Sequence, residues 1–586
     1  MTSPALRPTA HEALRALADE FWESFLTAHP GFATVLGDRR FDDRLDDLSP
    51  EGRAAWASVL EQTLGRAGEI DPSGLDGSAR VTRSMLIEEA SGQLMALRTG
   101  VDDWSLNPID GPQTWVVDMV DYQPISTPEE GRRLITRIRA MDRLIDQVVE
   151  RLRRGLARGC VSSVVPVERV IDEVSGLIGT PAAAWRLAVP AGEPHEDWPA
   201  DVLEAFRTDL IEAIDSVVLP AFRRYAEVLR QEILPVARPS GQPGLVHVPE
   251  GTAAYRALAR SHTSLDLDPL EIHEVGLREI ERLDRAFADL GASVLGVHGL
   301  EATLRALRTD LRLRFANADE VWATARSTLE RAQAATPAWF GRLPIAACEV
   351  VPIPAESAPH QTLAYYAWPA LDGSRPGRFH INLHAPETRA RYEAEALAFH
   401  EAVPGHHLQL AIAQELDGIP AFQRTLGSNA FAEGWGLYTE GLADEMGLYS
   451  SDMDRFGILS FDAWRACRLV VDTGIHAIGW TRDEAIGFMR EHTALDEGNI
   501  ANEVDRYIAW PGQALAYKLG QLEILRLRAH AKTVLGPRFD IRQFHDVVLG
   551  SGAVGLVTLA GIVETWLDGE VRAAQPGTIT EPAPSP

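Results

Sequence analysis

The chain has 586 residues, and 56 Lys and Arg against 84 Asp and Glu give a net charge of −28. With 45 % hydrophobic and 24 % charged residues it has ordinary globular composition, which excludes a disordered chain. The acidic balance excludes nonspecific binding to nucleic acid or an anionic membrane, and the scattered Cys160, Cys348 and Cys467 exclude a disulfide scaffold or a CxxC zinc module.

In chain order, the start MTSPALRPTAHEAL has no apolar run before Glu12 and so does not read as a secretory leader. With no disulfide pattern either, a soluble, cytoplasmic protein is expected. Thr127, Pro128 and Glu130 supply the cap, first-turn proline and third-position acid of a helix predicted over 128–154. Leu134, Ile138, Met141, Ile145, Val148 and Leu152 form its apolar stripe. Another helical stretch runs from Asp201 to Leu234 and ends in the breaker-rich PVARPSGQPG. That linker sets a boundary between an N-terminal helical lobe over 1–238 and a catalytic helical lobe over 239–572. Asp268, Pro269 and Glu271 repeat the start signal for a helix to about Leu290. In a β-element over about 345–385, TLAYYAW, LDGSRPG and RFHINLH read as a hairpin with a long loop. One reading of it is a stabilising ribbon. The favoured one is an edge strand to which an extended substrate adds. The apolar stretch Val547–Val563 is interrupted by five glycine and serine positions and reads as a buried helical hairpin, not a membrane span. The tail over 573–586 reads as disordered. The fold class is therefore mainly α, with one small β-element.

Chemistry concentrates in ETRARYEAEALAFHEAVPGHHLQLAIAQEL, residues 387–416. Histidine followed by glutamate also occurs at His11, His195 and His273, but only His400-Glu401 has further histidines, His406 and His407, within two turns. The logic is that of HExxH zinc hydrolases, in which two imidazoles hold zinc and the glutamate between them takes a proton from the attacking water. Here Pro404 occupies the i+4 position. On an ideal helix His406 lies at ~600° from His400, while His407 lies at ~700° but ~10.5 Å along the axis. Neither serves on an unbroken helix, so Pro404-Gly405 is expected to force a bulge. His406 is the favoured second ligand and His407 the alternative, with a supporting or substrate-binding role for whichever is left. A third ligand is expected from FAEGWGLYTE, where Glu433 stands among Ala432, Gly434 and Gly436, small residues that let two helices approach one ion. Glu440, two turns on, fits a supporting role.

Taken together, LDGSRPGRFHINLH, EALAFHEAVPGHHLQ, FAEGWGLYTE, DTGIHAIGW, RYIAWPGQALAYKLG and the early PGFATVLGDRRFDDRLDD closely resemble the bacterial family called domain of unknown function 885, over nearly the whole chain. Members are similar to gluzincin-type metallopeptidases, with a two-lobed helical fold like thimet oligopeptidase and carboxypeptidase Taq. The resemblance implies one zinc ion per chain on His400, His406 and Glu433, and Glu401 as base. It also implies late-chain donors for the oxyanion, for which His476 and Tyr507 match by order and type. A core histidine between Ile475 and Ile478 is the other reading of His476. Arg506, Gln513, Tyr517 and Lys518 are candidates for a substrate carboxylate or backbone, as are Arg378 and Asn382 on the preceding strand. Lys518 is one of two lysines in an arginine-rich chain. Trp464, Trp480 and Trp510 read as packing residues. The expected activity is hydrolysis of amide bonds in short peptides or peptide-like molecules. An amidase for one small metabolite, or a silent metal-binding protein of the same fold, are the alternatives.

Overall fold

The computed structural model describes residues 8–355, 358, 362–370, 373 and 375–574. Helix accounts for 73 % and strand for 3 %, so the class is mainly α. The predicted start signals operate as capping boxes: Thr127 with Glu130, and Asp268 with Glu271 at the head of Pro269–Leu290. The helix expected over 128–154 is two helices, Pro128–Arg139 and Met141–Ala157, joined at Ala140. Its stripe stays buried through the join at Leu134, Ile138, Met141, Ile145 and Leu152. The stretch 201–234 is helical throughout, with π turns at Ile214–Val218 and Leu229–Ile233. The first lies just ahead of Pro220, where a missing backbone donor would otherwise break the ladder.

Apolar packing does not follow the expected boundary near residue 238. One core spans Leu106 to Ile233. The first helices, Ala10–Ala28, Pro50–Glu69 and Gly77–Thr99, instead bury Leu14, Phe21, Leu60, Leu86 and Leu94 in a core shared with Phe399, Trp435, Ile524 and Leu567. A third core joins Ile280–Leu307 to Phe456–Ala514. An amphipathic stripe reports that a helix has a buried face but not which partner covers it.

The predicted hairpin is present, and it carries a third strand. β1 (Cys348–Pro352), β2 (Ala364–Ala367) and β3 (Gly377–Ile381) form a sheet of order β1-β3-β2. β2 pairs antiparallel to β3 and β1 pairs parallel to it. β3 is therefore central, and both its edges are taken. The expectation of a substrate-binding edge on RFHINLH is corrected, because an added strand needs unpaired backbone groups and these remain only on β1 and β2. Phe379 and Ile381 face the core beneath, while Arg378 and His380 are half-buried on the other face.

The 547–563 stretch is the expected helical hairpin, Ile541–Leu549 and Leu556–Ala574, with Val548, Val554, Leu559 and Val563 buried. No described helix is long and apolar enough to cross a membrane. The expected tail begins inside the last helix, and from residue 575 onward it lies outside the described residues.

The helix Asn429–Glu445 is pressed against Ala516–Leu535 with glycine facing glycine. A Cβ on Gly520 would stand 1.8 Å from the Ala430 carbonyl oxygen, and one on Gly434 would stand 2.4 Å from the Gly520 carbonyl carbon. Neither backbone can yield easily, so Gly520→Ala is expected to destabilise the protein by about 2–3 kcal/mol. Thermal unfolding measures this, and an unchanged midpoint would refute so close a contact.

Candidate metal centre

The His400 helix (Ala394–Glu401) stops where the sequence pattern calls for a break. Ala402 leaves helical geometry at φ −103°, ψ −105°, and a new helix begins at His406 and runs to Gln414. The turn between is tight: the His407 N–H donates to the Ala402 carbonyl at 3.0 Å. Gly405 passes so near His400 that a Cβ there would stand 1.9 Å from the His400 carbonyl oxygen. Glycine is required by this approach and not by a left-handed φ, since its φ is −79°. The break carries His406 back beside His400, their ring centroids 4.8 Å apart and their planes at 88°.

Glu433 comes from the facing helix Asn429–Glu445. Gly436, one turn on, lies against the His400 ring, where a Cβ would come within 2.7 Å. The small residues around Glu433 thus serve the predicted purpose at Gly436, while Gly434 serves the neighbouring helix. His400 Nε2 and His406 Nε2 are each 3.6 Å from Glu433 Oε2. That exceeds a hydrogen bond, which ends near about 3.2 Å. It is close to the ~3.3 Å that separates two ligand atoms each 2.0–2.1 Å from a tetrahedral zinc. One ligand atom from each of the three residues lies within 4.8 Å of the other two, and this is the group among the described residues that could hold a metal ion.

Surrounding groups aim the ligands. His400, 3 % exposed, donates from Nδ1 to Glu440 Oε1 at 2.8 Å, which leaves Nε2 directed at Glu433. A carboxylate behind a ligating imidazole fixes its tautomer and raises its basicity. Burial opposes a proton on His400, but Glu433 and Glu440 outweigh it and push its pKa up to about 9. Burial likewise opposes charge on Glu433, and the two imidazoles override it, holding the carboxyl well below the usual range. A bound cation would meet the same carboxylate and displace the imidazole proton. His406 Nδ1 is buried without a partner. Glu401 is half-buried at the last turn of the His400 helix and makes no hydrogen bond or ion pair among the described residues.

His406 and His407 differ in their partners. His407 accepts from the Tyr366 hydroxyl at Nδ1 (2.8 Å) and donates from Nε2 to the Ala346 carbonyl (3.2 Å). Burial lowers its pKa to about 4, so it is a neutral bolt between the helix and the sheet.

Several expected residues stand elsewhere. His476 is fully buried, accepts from the Leu245 N–H at 3.1 Å and donates to the Tyr507 carbonyl at 2.9 Å. With burial taking its pKa to about 3, it is the core histidine of the second reading and has no donor left for an oxyanion. Tyr507 is also fully buried, its hydroxyl donating to Glu503 Oε2 at 2.6 Å and accepting from Trp464 and Arg468. Lys518, 1 % exposed, is bonded to Asp462, Glu279 (3.0 Å) and Gln521 (2.7 Å) and is not a substrate contact. Asn382 spends its amide on the Ala358 and Thr362 carbonyls and the His384 N–H, closing the end of β3. Arg506 donates to Gln513 Oε1 at 2.8 Å and to the Tyr517 hydroxyl at 3.4 Å, so both residues partner Arg506. Arg378 stays half-buried on the outer face of β3, with Nε unpartnered. Tyr366, Arg465 and Arg468 went unnoticed in the sequence. Only WRACR at 464–468, two arginines three apart on a buried helix, carried a signal.

A cavity of about 170 Å³ opens along the start of the Glu433 helix, lined by Glu88, Glu89, His262, Ser428 and Asn429. Asn429 is four residues before Glu433 and so on the same helix face.

Residues 30–563 match the family described as bacterial protein of unknown function (DUF885). The chain belongs to this family. Among solved structures, the DUF885 chain is similar to one described as the "putative lipoprotein" from Colwellia psychrerythraea, at 28 % identity and a TM-score of 0.89, covering 96 % of this chain and all of that one. It also resembles in fold a "putative lipoprotein of unknown function" from Shewanella oneidensis, at 15 % identity and a TM-score of 0.71, covering 94 % of this chain and 99 % of that one. No curated protein matches this DUF885 sequence.

His406→Ala is expected to lose bound metal and His407→Ala to retain it, read by elemental mass spectrometry on purified protein. The reverse result would return His407 to the centre. Lys518→Met, which takes the ammonium from buried Asp462 and leaves it paired with Arg282, is expected to lower stability by about 1–3 kcal/mol in denaturant unfolding. A neutral outcome would contradict the structural role given to Lys518.

Proposed function

We propose that this DUF885 protein is a zinc-dependent hydrolase that cleaves amide bonds of short peptides or peptide-like molecules. One zinc ion per chain would be held by His400, His406 and Glu433. The observation that carries the reading is the pairing of three convergent ligand atoms with a free carboxylate, Glu401, adjacent in sequence to the first ligand. A site for metal storage or structure has no use for that carboxylate, and a structural zinc normally takes four protein ligands. Three ligands fit an open site.

Zinc bound here would supply Lewis acidity toward a carbonyl and lower the pKa of water. The residues of the chain do the rest. Glu440 orients His400, and Gly405 and Gly436 permit the close approach that brings the ligands together. Glu401, unengaged, accepts the proton of the attacking water and delivers it to the departing amine. His476 and Tyr507 take no part, because their polar atoms are committed to the core.

Glu401→Gln preserves size and leaves the three ligands untouched. It is expected to keep one zinc per chain and to lower kcat on a peptide substrate by about 10²–10⁴-fold. Peptide-library turnover measured beside metal content checks this, and undiminished turnover would remove Glu401 as the base.

A further inference from the structure

Behind the His400 helix lies the helix Arg455–Thr473, which carries two arginines in unusual surroundings. Arg465 is 6 % exposed, yet Nε and Nη1 are sealed from solvent without a hydrogen-bond partner. Its guanidinium lies on two rings, 4.6 Å from the centre of Phe461 and 4.1 Å from that of Trp464. Aromatic faces hold the cation in place but accept none of its N–H groups in the plane of the fork. Arg468, one turn on, lies 4.7 Å from Trp464 and 4.3 Å from Tyr517. It donates to Glu503 at 2.8 Å and to Tyr507 at 3.2 Å, but its Nη1 is also buried and unpartnered. Arg506 stands 3.6 Å from the same Glu503. Two guanidinium groups, those of Arg468 and Arg506, thus share Glu503, while Arg465 has no hydrogen-bonded carboxylate among the described residues. Arg465 is near enough to Glu440 for each charge to act on the other, and Glu440 is bonded to the ligand His400. The idle N–H groups of Arg465 therefore lie near Glu440, the carboxylate bonded to His400. A buried guanidinium without an acceptor is costly, and a planar fork is suited to a carboxylate.

We propose that Arg465 and Arg468, held on Trp464, form a carboxylate-binding subsite beside the His400–His406–Glu433 centre and anchor a peptide substrate by its C-terminal carboxylate or an acidic side chain. The subsite rests on the hydrolase reading only in taking the ligand to be a peptide. It makes Arg465 a positioning residue that selects acidic ligands and takes no part in proton transfer.

Binding, not turnover, tests it. In zinc-loaded Glu401→Gln protein, calorimetry compares N-acetyl-Ala-Ala, its C-terminal amide and N-acetyl-Ala-Glu amide. The free acid is expected to bind at least tenfold tighter than its amide if the C-terminus is recognised; a tenfold gain for the Glu peptide over the Ala amide assigns an acidic side chain instead. Adding Arg465→Gln is expected to reduce the preference below twofold with zinc content unchanged. If that variant does not fold, Arg465→Lys, which keeps the charge without the fork, should cut the preference more than threefold. Equal binding of all three peptides overturns the inference. So does a preference that survives Arg465 substitution, or loss of zinc without loss of preference, which would make Arg465 a counter-charge to Glu440 only. Discrimination in the Glu401→Gln protein without hydrolysis by the unmutated protein refutes the hydrolase reading alone, and hydrolysis by the unmutated protein without discrimination refutes this inference alone.

Discussion

The approach of Gly405 to the His400 carbonyl is the constraint on which the centre depends. A helix continuing past Glu401 would place His406 on another face and His407 two turns away. By breaking at Ala402 and restarting at His406, the chain folds the second imidazole back beside the first. Any Cβ at 405 would push the two segments apart. The same requirement recurs across the interface at Gly436, where the Glu433 helix has to pass against the His400 ring. Three ligand atoms within 4.8 Å of one another are thus the product of two absent side chains.

Around that constraint the protein assigns its histidines and carboxylates by what else they touch. His400 has a carboxylate behind it and another before it; His407, next to His406 in sequence, has a tyrosine and a backbone carbonyl and is spent on joining sheet to helix. Glu401 has no hydrogen bond or ion pair among the described residues, whereas Glu503 is shared among an arginine, a tyrosine and a tryptophan. The distinction between a reactive group and a structural one lies in free valence, which residue type does not report.

This explains which parts of the protein were legible in sequence. Helix starts were, because Thr127 and Asp268 cap through contacts three residues away. The break after Glu401 was, since proline and glycine act locally, and so was Glu433, because its glycine neighbours announce a close helix contact. The partners of His476, Tyr507 and Lys518 were not: Leu245, Glu503 and Glu279 are brought to them by packing. β1 was hidden because its five residues carry little alternation, and its pairing with β3 is what turned an expected edge into a centre. Family likeness suggested the late-chain donors by order and type, and burial of those side chains set them aside.

The core that packs the His400 and Glu433 helices joins Leu14 and Phe21 to Val563 and Leu567, more than five hundred residues on. A ribosome making this protein therefore releases the first helices long before their permanent neighbours exist. The apolar faces of Ala10–Ala28 and Gly77–Thr99 wait through several hundred residues of synthesis, whereas the segment from Leu106 to Ile233 can close its own core as soon as it emerges. The approach of His400, His406 and Glu433 is thereby tied to synthesis as far as Leu567, and a nascent fragment that ends soon after Glu433 still lacks the helix Leu556–Ala574 that packs into the same core.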